Sequence, residues 1–354
     1  MTIAWSLQPA KAFPGLCADW DELAQKIGDL PFLESIFLRP LLETFGKGNE
    51  HIAFARRNGQ IIAAAILEPK GLAQWQTFQP SQLPLGAWIA LPGESLDVLT
   101  KALVPALPGL SLGLGITQLD PLFCKRPDDA ANLRSLDYID TAWVDVQGEF
   151  SDYWNQRGKN LRTNVKKQKT KLAADGIEAK LDILTRPEDV AGAIGEYGRL
   201  EASGWKAETG TAVSEGNAQV QFYSATMERF CAAGRGQIWR YRFGDATVAM
   251  DLCISAGNTL VILKTAFDAA HKAVSPATLM HHDAFNAVFD AKQIRRIEFY
   301  GRVMEWHTRW TTESRKLFHV TAFRWSTLHR LRDWVAARRS KAMDEPQAAS
   351  ESNA

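Results

Sequence analysis

The sequence predicts an α/β protein with a mixed sheet, built from two copies of one unit. Three observations carry this. HIAFARRNGQIIAAAILEPKGLAQWQTF (51–78) reads as strand, Asn-Gly turn, strand, Gly turn, strand. GQIWRYRFGDATVAMDLCISAGNTLVILKTAF (236–267) reads the same way, with turns at Gly244-Asp245 and Gly257-Asn258. Each meander follows helical segments and precedes a helix and one more strand. These are ESLDVLTKALVPAL and LSLGLGI in the first copy, SPATLMHHDAFNAVFDAK and IRRIEFYG in the second. A repeat of this length signals duplicated domains rather than a solenoid. The division expected is 1–148 for the first unit, 149–335 for the second and 336–354 for a polar, disordered tail.

Composition narrows the function. A chain of 354 residues with 46% apolar content has material for two proper cores. Forty-one basic residues against forty acidic ones give a net charge of +1, which argues against a dedicated polyanion binder. No apolar run approaches the ~20 residues that span a bilayer, so no membrane insertion is expected. Cys17, Cys124, Cys231 and Cys253 are scattered, and the N-terminus shows no secretory pattern. Both point to a reducing cytoplasm. The histidines show no ligand spacing, and adjacent His281 and His282 diverge by about 100° on a helix. No metal is expected.

Between the copies lies YWNQRGKNLRTNVKKQKTKLAADG (153–176), read as one amphipathic linker helix. Trp154, Leu161, Val165 and Leu172 form its apolar stripe, and Gly176 is its stop. Arg157, Lys159, Arg162, Lys166, Lys167, Lys169 and Lys171 cover the other faces. They form either a solvated surface or an anion-facing one.

The chemistry concentrates in LKTAFDAAHKAVSPATLM (263–280). An apolar strand leaves through a short polar loop and enters a helix at Ser275-Pro276, with Ser as N-cap and Pro at the first helical position. Free N–H groups at such a helix start make an anion site. An ordinary strand feeding a capped helix reads the same way.

These stretches resemble the GNAT acyltransferase superfamily, and more narrowly its CelD-type group, named for cellulose biosynthesis. That group in turn resembles the Fem-type aminoacyltransferases, which carry two GNAT-like domains. RGKNLRTNVKKQKTKL is similar to the family's basic helix, LEASGWKAETGTAV (200–213) to its Glu-x-Ser-Gly-Trp-Lys-Gly stretch, and EFYGRVMEWHTRW to its Gly-containing strand end and Lys/Arg-Trp close. LKTAFDAAHKAVSPATL resembles Lys-x-x-Tyr-Asp followed by Ser-Pro-Gly. Ala207 and Ala277 stand where the family has glycines, and Phe267 where it has tyrosine.

The resemblance implies tandem GNAT-like domains, with the first a degenerate partner. It implies acyl-coenzyme A as donor, acetyl-CoA above all, and an amine or hydroxyl acceptor on a small molecule or saccharide. The backbone of Thr265, Ala266 and Phe267 would face the acyl group, while Ser275, Ala277 and Thr278 would open the helix that receives the pyrophosphate. Glu201 is the leading base candidate and equally reads as a solvated helical glutamate. Trp205 and Lys206 would meet the acceptor; Lys206 also reads as a surface lysine packed along an indole. Lys264, inside an apolar strand, needs a partner such as Asp251 whether or not it is catalytic. Tyr300 would protonate the leaving thiolate, and Asp268 matches the family's Asp or fixes the loop. Two other readings stay open. One is Fem-like transfer from aminoacyl-tRNA docked on the basic face. The other is a non-catalytic GNAT scaffold in polysaccharide or envelope assembly.

Overall fold

The computed structural model describes residues 2–202 and 217–327. Trp205, Lys206, Ala207 and the tail 336–354 therefore lie outside the described residues.

The first half runs β1 (Ala4–Pro9), α1 (Cys17–Gln25), α2 (Ser35–Phe45), β2 (His51–Arg57), β3 (Gln60–Pro69), β4 (Gln74–Thr77), β5 (Trp88–Ala90), α3 (Leu96–Leu103), β6 (Gly113–Leu119) and β7 (Leu133–Asp145). The second half opens with two helices, α4 (Phe150–Asn155) and α5 (Lys159–Ala174). It continues as β8 (Ala179–Leu184), α6 (Pro187–Ala202), α7 (Ala218–Ala232), β9 (Gly236–Phe243), β10 (Ala246–Ala256) and β11 (Thr259–Phe267). It closes with α8 (Pro276–Ala291), β12 (Arg296–Glu298), α9 (Glu305–Thr308) and β13 (Ser314–Phe323).

The strand order is one pattern used twice. Path β1-β2-β3-β4-β6-β13 in the first half matches β8-β9-β10-β11-β12-β7 in the second. Each half is antiparallel except for one parallel pair, β4 with β6 and β11 with β12. The last strand of each half is exchanged: β13 pairs with β6, and β7 pairs with β12. Because β7 and β13 also pair with each other, the halves join into a single mixed sheet.

The meanders form where the turn chemistry places them. Asn58 (φ 53°) and Gly59 (φ 81°) make the left-handed pair that a tight hairpin requires. Helices α1 and α2 of one half pack against α6 and α7 of the other in a shared core that contains Trp20, Phe32, Tyr197 and Phe222. The opposite sheet faces are covered by α3 in the first half and by α4, α5 and α8 in the second.

The basic segment is two helices rather than one. After Asn155 the chain tightens, with Arg157 N–H on the Trp154 carbonyl, and restarts behind an extended Gly158. Its end follows the sequence: Gly176 is left-handed, and Ile177 N–H reaches the Leu172 carbonyl in a Schellman closure. The helix lies on the outer face of the second half, where Lys169 pairs with Asp283 of α8.

Candidate functional site: a cleft between two splayed strands

Strand β11 pairs with β10 along its length but with β12 only over Thr259–Val261. Beyond Val261 its other edge is open. A bulge marks the departure: Ile262 opposes Cys253 and Lys264 opposes Leu252, so Leu263 is the extra residue. Since N–H and C=O groups alternate in direction along a strand, part of the backbone past the bulge faces the opening.

The opening is a cavity of about 590 Å³. One wall is β11 through Ile262–Thr265 and Phe267, the floor is the start of α8, and the far wall comes from Phe299, Gly301, Trp306, His307 and Trp310. The cations Lys272 and Arg309 also line it. At the helix start, Ser275 adopts φ 53° and ψ 57° and makes no side-chain cap. The N-cap expected from its hydroxyl is thus replaced by a left-handed backbone, while Pro276 takes the first helical position as its fixed φ allows. Thr278 and Leu279 both donate to the Ser275 carbonyl, at 3.0 and 3.2 Å. A non-glycine residue held left-handed at a helix start is stored strain, of a kind concentrated at ligand sites.

Of the residues expected at the donor site, Thr265, Phe267, Ser275, Ala277 and Thr278 line this cavity. Ala266 turns its side chain to the central core. Asp268 lies outside the cavity and fixes the turn: Oδ1 accepts from Ala270 N–H at 2.9 Å and Oδ2 lies 2.9 Å from His271 Nδ1.

Glu201 and Lys264 meet, but on the other face of β11. The bulge turns Lys264 toward α6 and α7, where Nζ lies 3.4 Å from Glu201 Oε1 and 3.4 Å from Gln219 Oε1, over the Tyr223 ring. Glu201 also accepts from the Tyr197 hydroxyl at 3.2 Å, and its side chain is 1% exposed. Asp251 is therefore not the partner of Lys264. It sits opposite Thr265 on the α8 side and pairs with His281, Nε2 to Oδ2 at 2.8 Å.

Tyr300 does not reach the cavity. A left-handed backbone (φ 45°) swings its ring into the central core against Phe32, while Phe299 and Gly301 on either side face the cleft. Its hydroxyl donates to Asp120 Oδ2 at 3.1 Å, and burial with neighbouring Glu298 and Asp120 pushes its pKa well up. Tyr300 belongs to a buried cluster in which Arg315 pairs with Asp120 (2.6 Å) and Glu298 (3.1 Å).

Sequence reasoning missed the far wall and the buried histidines. His281 is 2% exposed and stacks near Trp306, and His307 accepts the Met304 N–H at Nδ1, 2.9 Å away. Burial pulls His307 down to about 4. The signal was present in EWHTRW, where two indoles flank a histidine in a chain segment just after the strand.

The cleft combines a bulged strand, a splay from its parallel neighbour and a helix start at its mouth. Residues 159–308 match the acetyltransferase (GNAT) domain family. That match spans the second half from α5 to α9 and takes in the residues that line the cleft except Arg309 and Trp310. No curated protein matches the chain. Among solved structures, FemX is 9% identical over 89% of this chain and 97% of its own, with a TM-score of 0.57. The C-terminal domain of a protein described as a lysylphosphatidylglycerol synthetase, from Agrobacterium fabrum, is 14% identical over 86% and 91%, with a TM-score of 0.55. A conserved protein of unknown function from Bacteroides thetaiotaomicron is 9% identical over 91% and 100%, with a TM-score of 0.54. At these identities the likeness is one of fold. Among the described residues no group of side chains suits a metal ion, and no helix is long and apolar enough to cross a membrane.

Proposed function

We propose that the second half transfers an acyl group, acetyl in the first instance, from acyl-coenzyme A to an amine or hydroxyl acceptor on a small molecule or saccharide. The observation that carries this reading is the open edge of β11 beyond Val261, continuous with a cavity that ends at the start of α8. Backbone N–H groups at that edge would polarise the thioester carbonyl, worth about 3–4 kcal/mol for a well-aimed donor. The pyrophosphate would lie at the helix start, where Pro276 has no N–H and Ala277 supplies the first. Lys272 and Arg309 add positive charge along the cavity. The acceptor would enter from the other face, beside Glu201 and Lys264. There Glu201 would take the amine proton. Glu201→Gln should slow transfer by about 10²-fold with donor affinity unchanged.

The Ala277 series tests the reading. Ala277→Gly should preserve or tighten coenzyme A binding, and Ala277→Glu should abolish it by bulk and like charge. If the helix merely begins there, the Glu variant binds as the parent does and is mildly more stable, because an acid suits a first helical turn.

The exposed lysines of α5, Lys159, Lys166, Lys167 and Lys171, favour one second reading, Fem-like use of aminoacyl-tRNA as donor. That reading requires tRNA binding that weakens steeply with salt. A CelD-type assignment, a cytoplasmic location and a scaffold role without catalysis each remain proposals, and failure to bind either donor would favour the last.

A further inference from the structure

A buried acid–imidazole pair, Asp251 of β10 and His281 of α8, stands on the α8 face of the sheet behind the cleft. Asp251 is fully buried and held to His281, while its second oxygen, Oδ1, has no partner among the described residues. A buried carboxylate with half its hydrogen-bonding capacity unmet is costly, and such arrangements concentrate at working sites. Its position is specific. Asp251 is the cross-strand partner of Thr265, so the two side chains share one face of the sheet, roughly 5 Å apart at Cβ. His281 comes down onto that face from α8 and lines the cavity. Because Nε2 is taken by Asp251, Nδ1 is the nitrogen left for a ligand. Phe285 and Trp306 stack on the ring at 5.5 and 5.7 Å, inclined by 17° and 25°, and fix its plane.

The geometry points to His281 as the group that protonates the departing thiolate, with Asp251 as the residue that holds its ring in place through Nε2. The inference rests on the coenzyme A reading of the cleft. A donor laid along the start of α8 brings its sulfur to the α8 face of β11, which is His281's face; Glu201 and Lys264 occupy the opposite one. The acceptor nitrogen bonds to the acyl carbon and gives up its proton on the Glu201 side. As the tetrahedral adduct collapses, the C–S bond breaks and its electron pair goes to sulfur. A proton carried on Nδ1 passes to that sulfur, giving the free thiol, and solvent returns a proton to the ring.

The test needs no acceptor. Coenzyme A and desulfo-coenzyme A, which lacks the sulfur, are titrated calorimetrically into the full chain and into His281→Gln. The parent should prefer coenzyme A by on the order of ten-fold, as a hydrogen bond to a charged group gives. His281→Gln should bind both ligands alike, near the parent's affinity for the desulfo form. An equal preference in parent and variant overturns the role of His281 while leaving the coenzyme A reading intact. If neither ligand binds the parent, the coenzyme A reading falls and takes this inference with it. Should the variant fail to fold, imidazole nitrogen shifts in the parent decide. The His281 resonance must respond to coenzyme A and not to the desulfo form, and equal responses overturn the assignment.

Discussion

The two halves share a strand order, but among the described residues they differ where the middle strand meets its parallel neighbour. In the second half, β11 runs from Thr259 to Phe267 with a single bulged residue, Leu263, at the point where it leaves β12. In the first half the equivalent strand is cut in two. β4 ends at Thr77, the segment 78–87 makes an excursion, and β5 resumes pairing with β3 at Trp88. The excursion sends Phe78, Leu83 and Leu85 into the central core and lays Gly86 against β6, its N–H on the Thr117 carbonyl at 3.1 Å. A cavity of about 30 Å³ is left there, against about 590 Å³ in the second half. The helix starts differ as well. The second position of α8 is Ala277, and the second position of α3 is Asp97, an acid where a phosphate would have to approach. An insertion at the bulge and one carboxylate thus separate the open strand edge of the second half from the closed one of the first.

The largest expected effect lies where the halves share a cluster. Arg315 of β13 holds Asp120 from one half and Glu298 from the other, all nearly buried. Arg315→Ala leaves buried Asp120 without its cation and Glu298 with only the more distant Arg296, and should cost about 3–5 kcal/mol in denaturant melts. A loss of only a few tenths would mean that this cluster does not help hold the halves together.

The plug comes next. A Cβ on Gly86 would meet Thr77 Oγ1 at 2.6 Å and press on the Thr117 carbonyl. Gly86→Ala should cost about 1–3 kcal/mol in melts, through overpacking, without weakening coenzyme A binding. Weakened binding with an intact melt would locate a ligand in the first half instead.

A smaller effect concerns pH. Burial raises Glu298 from 4.5 to about 7 despite Arg315. The folded state therefore binds the extra proton between these values, and stability is fully present below about 4.5 and falls as pH rises through about 7. Glu298→Gln removes that slope, so its melting temperature relative to the parent should improve from pH 5 to pH 8. Parallel curves across that range would show that Glu298 titrates normally.

Much of this contrast was legible in the residues, and the illegible part has identifiable causes. The meanders followed from local turn chemistry at Asn58-Gly59, Gly244 and Gly257, and the strand–helix unit followed from Pro276. The exchange of β7 and β13 did not, because each pairs with a strand from the other half and their polar alternation names no partner. Lys264 was rightly expected to need a carboxylate, but the bulge at Leu263 reversed its face and gave it Glu201 instead of Asp251. Tyr300 was misdirected by one left-handed residue that no composition signals. The Asp251–His281 pair joins residues on a strand and a helix that only the packed α8 brings together.

Native mass spectrometry of the full chain with coenzyme A tests the contrast most directly, because it counts ligands. The account predicts one coenzyme A per chain, lost in Ala277→Glu and kept in Gly86→Ala. Two bound ligands, or one that survives Ala277→Glu in a folded chain, would contradict it.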